Sequence, residues 1–484
     1  MSKQDKKELR QQIACEWLEE NYLNYGSLRH DVVTDRLQIR MPNLESLENA
    51  SLQNAPEGLQ FRGKDTWRNL TDKDINTMVC QCVSERGVNI STNEMWTALK
   101  SDMVPAVHPL RAWLDGLRPY TADQPDWIDF VASQVRVMHG VESCRMVQSG
   151  VELGGSEWCR MVQNGVESSS AEKTTLPNTT QPLHNATQDL WRGCFKKWFV
   201  AMVASWMKDE VVNHQVLVLI GKQGIFKTTW LEHLIPPHLR AYACKLANSN
   251  DLNKDERLRI AEFGLISLDE IDSMNNRELN QLKSIITSSD VNERAAYAYT
   301  KERRVRLASF CASGNRRDFL TDITGNRRWL PFEVESIQNP FYTIMPYKQM
   351  YAQAWALAQD PSFNYWFELD EIDVLEQHNQ QFRDESNEEQ LLPILFDIPA
   401  EGRGEFMTTA QISERLVTYG NIKKPMAIGR LGVLLGQKGY RSVTRGSKQS
   451  RIRGWIVYQR DSDEINTLRR LLKDDTSQHD TAIY

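Results

Sequence analysis

Val216 to Ile220, VLVLI, is an unbroken apolar run, the pattern of a strand buried on both faces. Similar runs recur at Phe263 to Leu268 and in RLASFCASGN, separated by helical stretches. The alternation predicts an α/β domain over residues 190–365. Just ahead of it, LWRGCFKKWFVAMVASWMKD sets Trp191, Phe195, Trp198, Phe199, Met202, Val203 and Trp206 at helical spacing, a stripe read as core against that sheet. Residues 1–138 read as a mainly helical domain: a helix over 1–30, then a short hairpin, DVVTDRLQIR. Thr71 with Asp74 is placed to cap a helix that stops at Gly87, and Ser91 or Thr92 to cap another through Lys100. That pair is taken as packing rather than a DNA-binding unit. Trp113, Trp127 and Phe130 are expected apolar anchors of further helices.

The periodicity fails over residues 139–189. CRMVQSGVE at Cys144 recurs as CRMVQNGVE at Cys159, fifteen residues on, a tandem duplication too short for a solenoid repeat. A Ser/Thr/Pro/Asn-rich linker follows, with too few apolar residues to fold alone. Beyond the α/β domain, residues 366–406 carry 12 Asp/Glu against Arg383 and Arg403, an acidic connector. Residues 421–460 reverse this, with ten Lys/Arg and no acid. In that basic domain, residues 407–460, Thr408-Thr409 caps a helix, Pro425 opens another that Gly439 stops, and YRSVTR and RIRGWIVYQR form a hairpin. Helix, helix, hairpin is a winged-helix-like order, with Arg430 and Lys438 on the second helix and Arg445, Lys448, Arg451 and Arg453 on or near the wing. DNA is the expected partner and a protein contact the alternative. Residues 461–484 form a polar tail.

Composition narrows the class. Forty per cent hydrophobic and 25% charged residues mark a globular chain. No apolar run approaches the roughly 18 residues of a membrane span, and MSKQDKKELRQQ lacks the apolar core of a signal peptide, so a cytoplasmic protein without membrane contact is expected. The eight cysteines are scattered; the Cys80-x-Cys82 pair has neither zinc-ribbon nor disulfide spacing and is read as free thiols. The net charge of −6 decides nothing about nucleic acid by itself.

The chemistry concentrates after Ile220. In GKQGIFKTT, Gly221 and Gly224 let the chain turn around phosphates, Lys227 is placed to reach the β- and γ-phosphates, Thr228 to ligate Mg2+, and Thr229 to complete the loop. Phe226 stands where a glycine usually precedes the lysine, and is tolerable there only if its backbone angles stay in an ordinary region. About 40 residues on, LISLDEID ends an apolar strand in Asp269, suited to hold Mg2+ through water, and Glu270, suited to deprotonate the attacking water, with Asp272 beyond them in an outer role or merely exposed. CASGN ends the next strand in Asn315, which can hold that water and sense the γ-phosphate; capping a turn is its structural alternative. Arg327 and Arg328 precede a further strand, where an arginine can enter a neighbouring subunit's site, a role worth roughly 10³–10⁵ in rate elsewhere. Between these motifs Arg294, Lys301, Arg303, Arg304 and Arg306, interleaved with Tyr297 and Tyr299, suit a hairpin on a nucleic-acid backbone.

In this order, GKQGIFKTT, LISLDEID, CASGN and TGNRRWLPFEV resemble superfamily 3 helicases and, more closely, the virulence-associated protein E family, over roughly residues 70–335. The resemblance implies an AAA+-like P-loop core, Mg-ATP hydrolysis, a homo-oligomeric ring, commonly hexameric, and a part in DNA replication on mobile elements or prophages. Residues 1–130 carry no primase-like carboxylate cluster, so a separate primase is expected. The expected activity is an ATP-dependent DNA helicase or translocase on single-stranded or forked DNA. The alternatives are an ATPase that loads or remodels replication proteins, and a DNA-binding regulator with a degenerate P-loop.

Overall fold

The computed structural model describes residues 3–40, 67–138, 181–246, 259–293, 302–320, 326–399, 404–446 and 451–468. They fall into two compact units, residues 1–317 with 327–381, and residues 318–326 with 382–484.

The first unit opens with α1 (Lys3–Leu18), followed by β1 (Leu28–Asp31), β2 (Arg36–Arg40), β3 (Trp67–Asn69), α2 (Asp72–Arg86), α3 (Thr92–Leu99) and β4 (Ala106–Val107). The strands form a small sheet of order β3-β2-β1-β4. Its apolar face, with Leu28, meets Trp17, Met78, Met95 and Leu99 of the helices. The expected caps form: Thr71 and Asp74 make a capping box, Gly87 ends α2 at φ 66°, and Ser91 rather than Thr92 caps α3. Then come α4 (Pro109–Asp115), α5 (Trp127–Ala132) and β5 (Val135–Val137). Trp113 and Trp127 pack on the central core, but Phe130 is 45% exposed and meets only the edge of that packing, its ring 6.3 Å from the Trp127 ring.

The central part comprises α6 (Gln181–Met207), β6 (Val216–Ile220), α7 (Lys227–His233), β7 (Ala243–Leu246), β8 (Leu265–Leu268), α8 (Asn276–Thr287), β9 (Asp290–Glu293), β10 (Glu302–Val305), β11 (Ser309–Gly314), β12 (Trp329–Ile337), α9 (Tyr347–Gln359) and α10 (Leu369–Asn379). Its sheet runs β5-β12-β6-β11-β8-β7. All pairings are parallel except that of β5 with β12. Numbering β6, β7, β8, β11 and β12 from one to five gives the order 5-1-4-3-2. The aromatic stripe of α6 is core, as expected: Trp191, Phe195, Trp198, Phe199 and Trp206 are fully buried. Burial of an indole N–H needs an acceptor; Trp198 Nε1 donates to Phe310 O (3.1 Å) and Trp206 Nε1 to Gly264 O (3.1 Å).

Three boundaries differ from the expectation. β5 belongs to the central sheet, not to a separate helical domain ending at 138. Helix α6 begins at Gln181, inside the stretch read as linker, while the duplication at Cys144 and Cys159 lies outside the described residues. The acidic segment is no connector. Part of it is α10, where Glu371 is buried against Lys197 Nζ at 2.6 Å.

The second unit holds α11 (Asn387–Leu395), β13 (Phe396–Asp397), β14 (Glu405–Met407), α12 (Thr409–Gly420), α13 (Ile428–Gln437), β15 (Arg441–Arg445) and β16 (Ile452–Gln459). β16 pairs antiparallel with β13, β14 and β15. Leu416, Leu431, Leu434, Leu435 and Val457 form its core. Thr408 caps α12 through a box with Gln411, and the turn after α13 uses Gly439 at φ 87°. α11 takes up two more residues of the acidic run, Glu388 and Glu389: Glu389 is buried and paired with Arg383 at 2.9 Å.

Candidate functional site

Strand β6 ends at Ile220 and the chain turns through residues 221–226 into α7. Gly221 is required at the start of this turn: at φ 153° a Cβ there would lie 2.8 Å from Val334 O. At the end of the turn, Phe226 does not keep ordinary backbone angles. It is left-handed, φ 67° and ψ 18°, the region a glycine enters freely. A side chain pays about 1–2 kcal/mol there. The ring offsets this by packing on the central core and meeting Phe341 edge to face, centroids 6.4 Å apart. The loop therefore follows a glycine-type path although the glycine is missing.

Lys227 is buried at the first position of α7. Its Nζ donates to Gly221 O (2.7 Å), Lys222 O (2.7 Å) and Asn315 Oδ1 (3.3 Å). Burial lowers its pKa, against the pull of Asp272 and Asp269. The next residue, Thr228, reaches across to the neighbouring strand ends. Its Oγ1 lies 3.2 Å from Asp269 Oδ1 and 2.8 Å from Ser313 Oγ, and Ser313 Oγ donates to the same carboxylate oxygen at 2.7 Å. The other oxygen of Asp269 meets Lys245 Nζ at 2.9 Å. Burial opposes the charged form of Asp269, but hydrogen bonds from Lys245, Ser313 and Thr228 outweigh it and hold the carboxyl below its ordinary value.

Strand geometry explains this convergence. β8 and β6 flank β11 in register, so Asp269, Asn315 and the loop after Ile220 leave the sheet along one edge. Glu270 turns the chain there in a left-handed conformation, φ 53° and ψ 48°. Asp272 accepts from the backbone N–H groups of Asn315 (3.1 Å) and Arg316 (3.1 Å), which fixes the tip of β11. Gly314 permits the approach, since a Cβ would lie 2.8 Å from Asp272 Oδ1. Gly224, Phe226, Lys227, Thr228, Thr229, Asp269, Glu270, Ser313 and Asn315 all border one cavity of about 330 Å³.

Ser313 and Lys245 escaped the sequence reading. Ser313 had a signal, its place beside Asn315 at the strand tip. Lys245 had none, because nothing in ACKL tells that β7 lies beside β8. The donor set fits a hard cation held with a polyphosphate: Thr228 and Asp269 supply oxygens, and Lys227 a buried ammonium. Among the described residues, no three His, Cys, Asp or Glu gather as a metal site without such a ligand.

The other candidates lie elsewhere. Arg327 is exposed and Arg328 half-buried in the turn Asn326–Arg328, ahead of β12. Trp329 pairs with Val216, the first residue of β6, so both arginines sit at the sheet edge opposite the cavity, roughly 15 Å from Gly221 by strand rise. With its side-chain amide flipped, Gln215 would donate to Arg327 O (2.8 Å) and Arg328 O (3.2 Å).

Of the basic segment, β9 and β10 form the expected hairpin stem, with Arg303 in register with Asn292. Arg294 and Lys301 lie outside the described residues. Arg304 is paired with Asp35 (2.9 Å) and Glu262 (3.7 Å). Arg306 is no hairpin charge: it is fully buried, and its guanidinium donates to the carbonyls of Asn213 (2.7 Å), Ala308 (3.0 Å) and Ile286. In the second unit Arg430 and Arg451 are exposed, Arg445 lies 4.7 Å over the Phe406 ring, and Lys448 is outside the described residues.

Every residue of the cavity falls within residues 167–384, which match the model of the Virulence-associated protein E-like domain. That stretch of the chain is similar to the virulence-associated protein E family. No curated protein matches the chain. Similar solved structures include the A form apo structure of the NrS-1 C-terminal region (TM-score 0.40, 11% identity, covering 90% of this chain and 98% of that one). Another apo structure of that region gives a TM-score of 0.37 at 10% identity, with 90% of this chain and 97% of that one covered. Among the described residues no helix is long and apolar enough to cross a membrane.

Proposed function

We propose that the chain is a Mg-dependent ATP hydrolase with a P-loop core of AAA+ or superfamily 3 helicase type. Its work is to unwind or translocate DNA in the replication of a mobile genetic element or prophage. The observation that carries this reading is the convergence of Lys227, Thr228, Asp269, Glu270 and Asn315 on one cavity at the strand-end edge of a 5-1-4-3-2 sheet.

Each residue has a task suited to its place. Lys227 neutralises the β- and γ-phosphates once they replace its carbonyl partners. Thr228 and Asp269 hold the cation, which when bound screens the charge that builds on the phosphates. Glu270 takes the proton of the attacking water and Asn315 orients that water. Arg327 and Arg328, at the far edge of the sheet, cannot serve their own cavity, which supports a role in the next subunit of a ring. The helix–helix–hairpin order of the second unit supports a winged-helix-like DNA contact through Arg430, Arg445 and Arg451. The left-handed path of Phe226 counts against a degenerate loop.

The test is ATP turnover with and without single-stranded DNA, with oligomer size and strand separation of a forked duplex measured alongside. Stimulated turnover with strand separation is expected. Turnover without separation would assign loading or remodelling, and no turnover by assembled protein would overturn the hydrolase reading.

A further inference from the structure

We propose that Phe341 is the stacking platform for the base of the bound nucleotide. This rests on the phosphate-loop reading above and extends the same site by one residue group. The turn after β12 is built to hold an aromatic ring in place. Asn339 accepts from four donors: its Oδ1 takes the N–H of Phe341 (3.0 Å), and its carbonyl takes Tyr342 N (3.1 Å), Thr343 N (3.1 Å) and Thr343 Oγ1 (2.9 Å). Despite this fixed turn, Phe341 is 68% exposed. A phenyl ring held rigidly toward water gains nothing by itself.

Its neighbours say what would cover it. Phe341 meets the rings of Phe226 (6.4 Å) and His233 (5.6 Å), both edge to face. Phe226 also borders the cavity with Lys227 and Thr229. Positions 226, 229 and 233 follow the spacing of one helix face, so the line from the phosphate loop to Phe341 passes Thr229. His233 is fixed in that line: its Nδ1 donates to Thr229 O (2.7 Å), and Tyr347 Oη donates to His233 O (2.8 Å). A triphosphate seated on Lys227 thus has its sugar beside Thr229 and its base over Phe341. With 68% of its surface open to solvent, Phe341 still has area for a base to cover. The proposal also accounts for Phe226, whose ring braces the platform from a backbone conformation that a glycine would hold at no cost.

The experiment compares binding of a non-hydrolysable ATP analogue and of inorganic tripolyphosphate, each with Mg2+, to the full chain. Wild type is expected to bind the analogue more tightly than tripolyphosphate. Phe341→Ala is expected to weaken the analogue at least about fivefold and leave tripolyphosphate unchanged. Phe341→Trp is expected to restore the analogue. Analogue binding unchanged in Phe341→Ala, or both ligands weakened equally, would overturn the platform while sparing the loop. A loss of oligomer size with nucleotide affinity kept would make Phe341 an interface between copies and overturn it likewise. If wild type binds neither ligand, the phosphate-loop reading falls and takes the platform with it.

Discussion

Phe226 fills the place before Lys227 with a ring where a glycine is usual. Its left-handed backbone is nonetheless one that glycine enters freely. Two substitutions separate the effects. Phe226→Ala loses the ring but keeps a β-carbon in the left-handed region, whereas Phe226→Gly loses the ring and the strain together. Phe226→Gly is therefore expected to be about 1 kcal/mol more stable than Phe226→Ala in urea unfolding. Equal stability would contradict the left-handed assignment. The residues of the cavity were legible in sequence wherever a motif fixed them: Lys227, Thr228, Asp269, Glu270 and Asn315 all converge. Phe226 was legible as an oddity, but its partner Phe341 lies 115 residues away and carries no signal. Lys245 was hidden for the same reason. Which strand lies beside which is settled by packing, not by local pattern.

Elements were legible where their caps and stripes are local, as with α2, α3 and α6. Charge counts misled where the charges are paired inside the fold. The run reads as an acidic connector, yet Glu371 neutralises the buried Lys197 and fastens α10 to α6. The end of α10 is fastened to β12 by a neutral histidine. His378 Nε2 donates to Pro331 O (2.8 Å), and its Nδ1 accepts from Gln381 (3.1 Å). Burial pushes its pKa down from 6.5 to about 4, with the Pro331 contact working weakly the other way. The unfolded chain therefore binds the extra proton first as pH falls. The stabilisation is complete above pH 6.5 and is lost as pH falls toward 4. The urea midpoint is expected to drop across that window, and His378→Gln to flatten the drop. An unchanged slope in the variant would show that His378 does not contribute.

For the whole molecule, the sequence reads as an ordered set of motifs, and the fold sorts that set onto two edges of one sheet. Lys227, Asp269, Glu270 and Asn315 occupy one edge, Arg327 and Arg328 the other. A ring that puts the second edge of one copy against the first edge of the next makes a testable demand. Arg328→Ala subunits keep an intact phosphate loop, and Lys227→Ala subunits keep an intact arginine. Each alone is expected to be slow, and mixed rings to recover turnover at the sites where the two intact halves meet. No recovery, with Arg327→Ala equally silent, would show that neither arginine acts across subunits.

In the proposed reaction the cavity hydrolyses nucleoside triphosphate through Lys227 and Glu270. Its most direct test measures nucleotide binding and Mg-ATP turnover together in wild type, Lys227→Ala and Glu270→Gln. Glu270→Gln is expected to bind nucleotide still while turnover falls by about 10²–10⁴, and Lys227→Ala to lose both. Turnover unchanged in Lys227→Ala would contradict it.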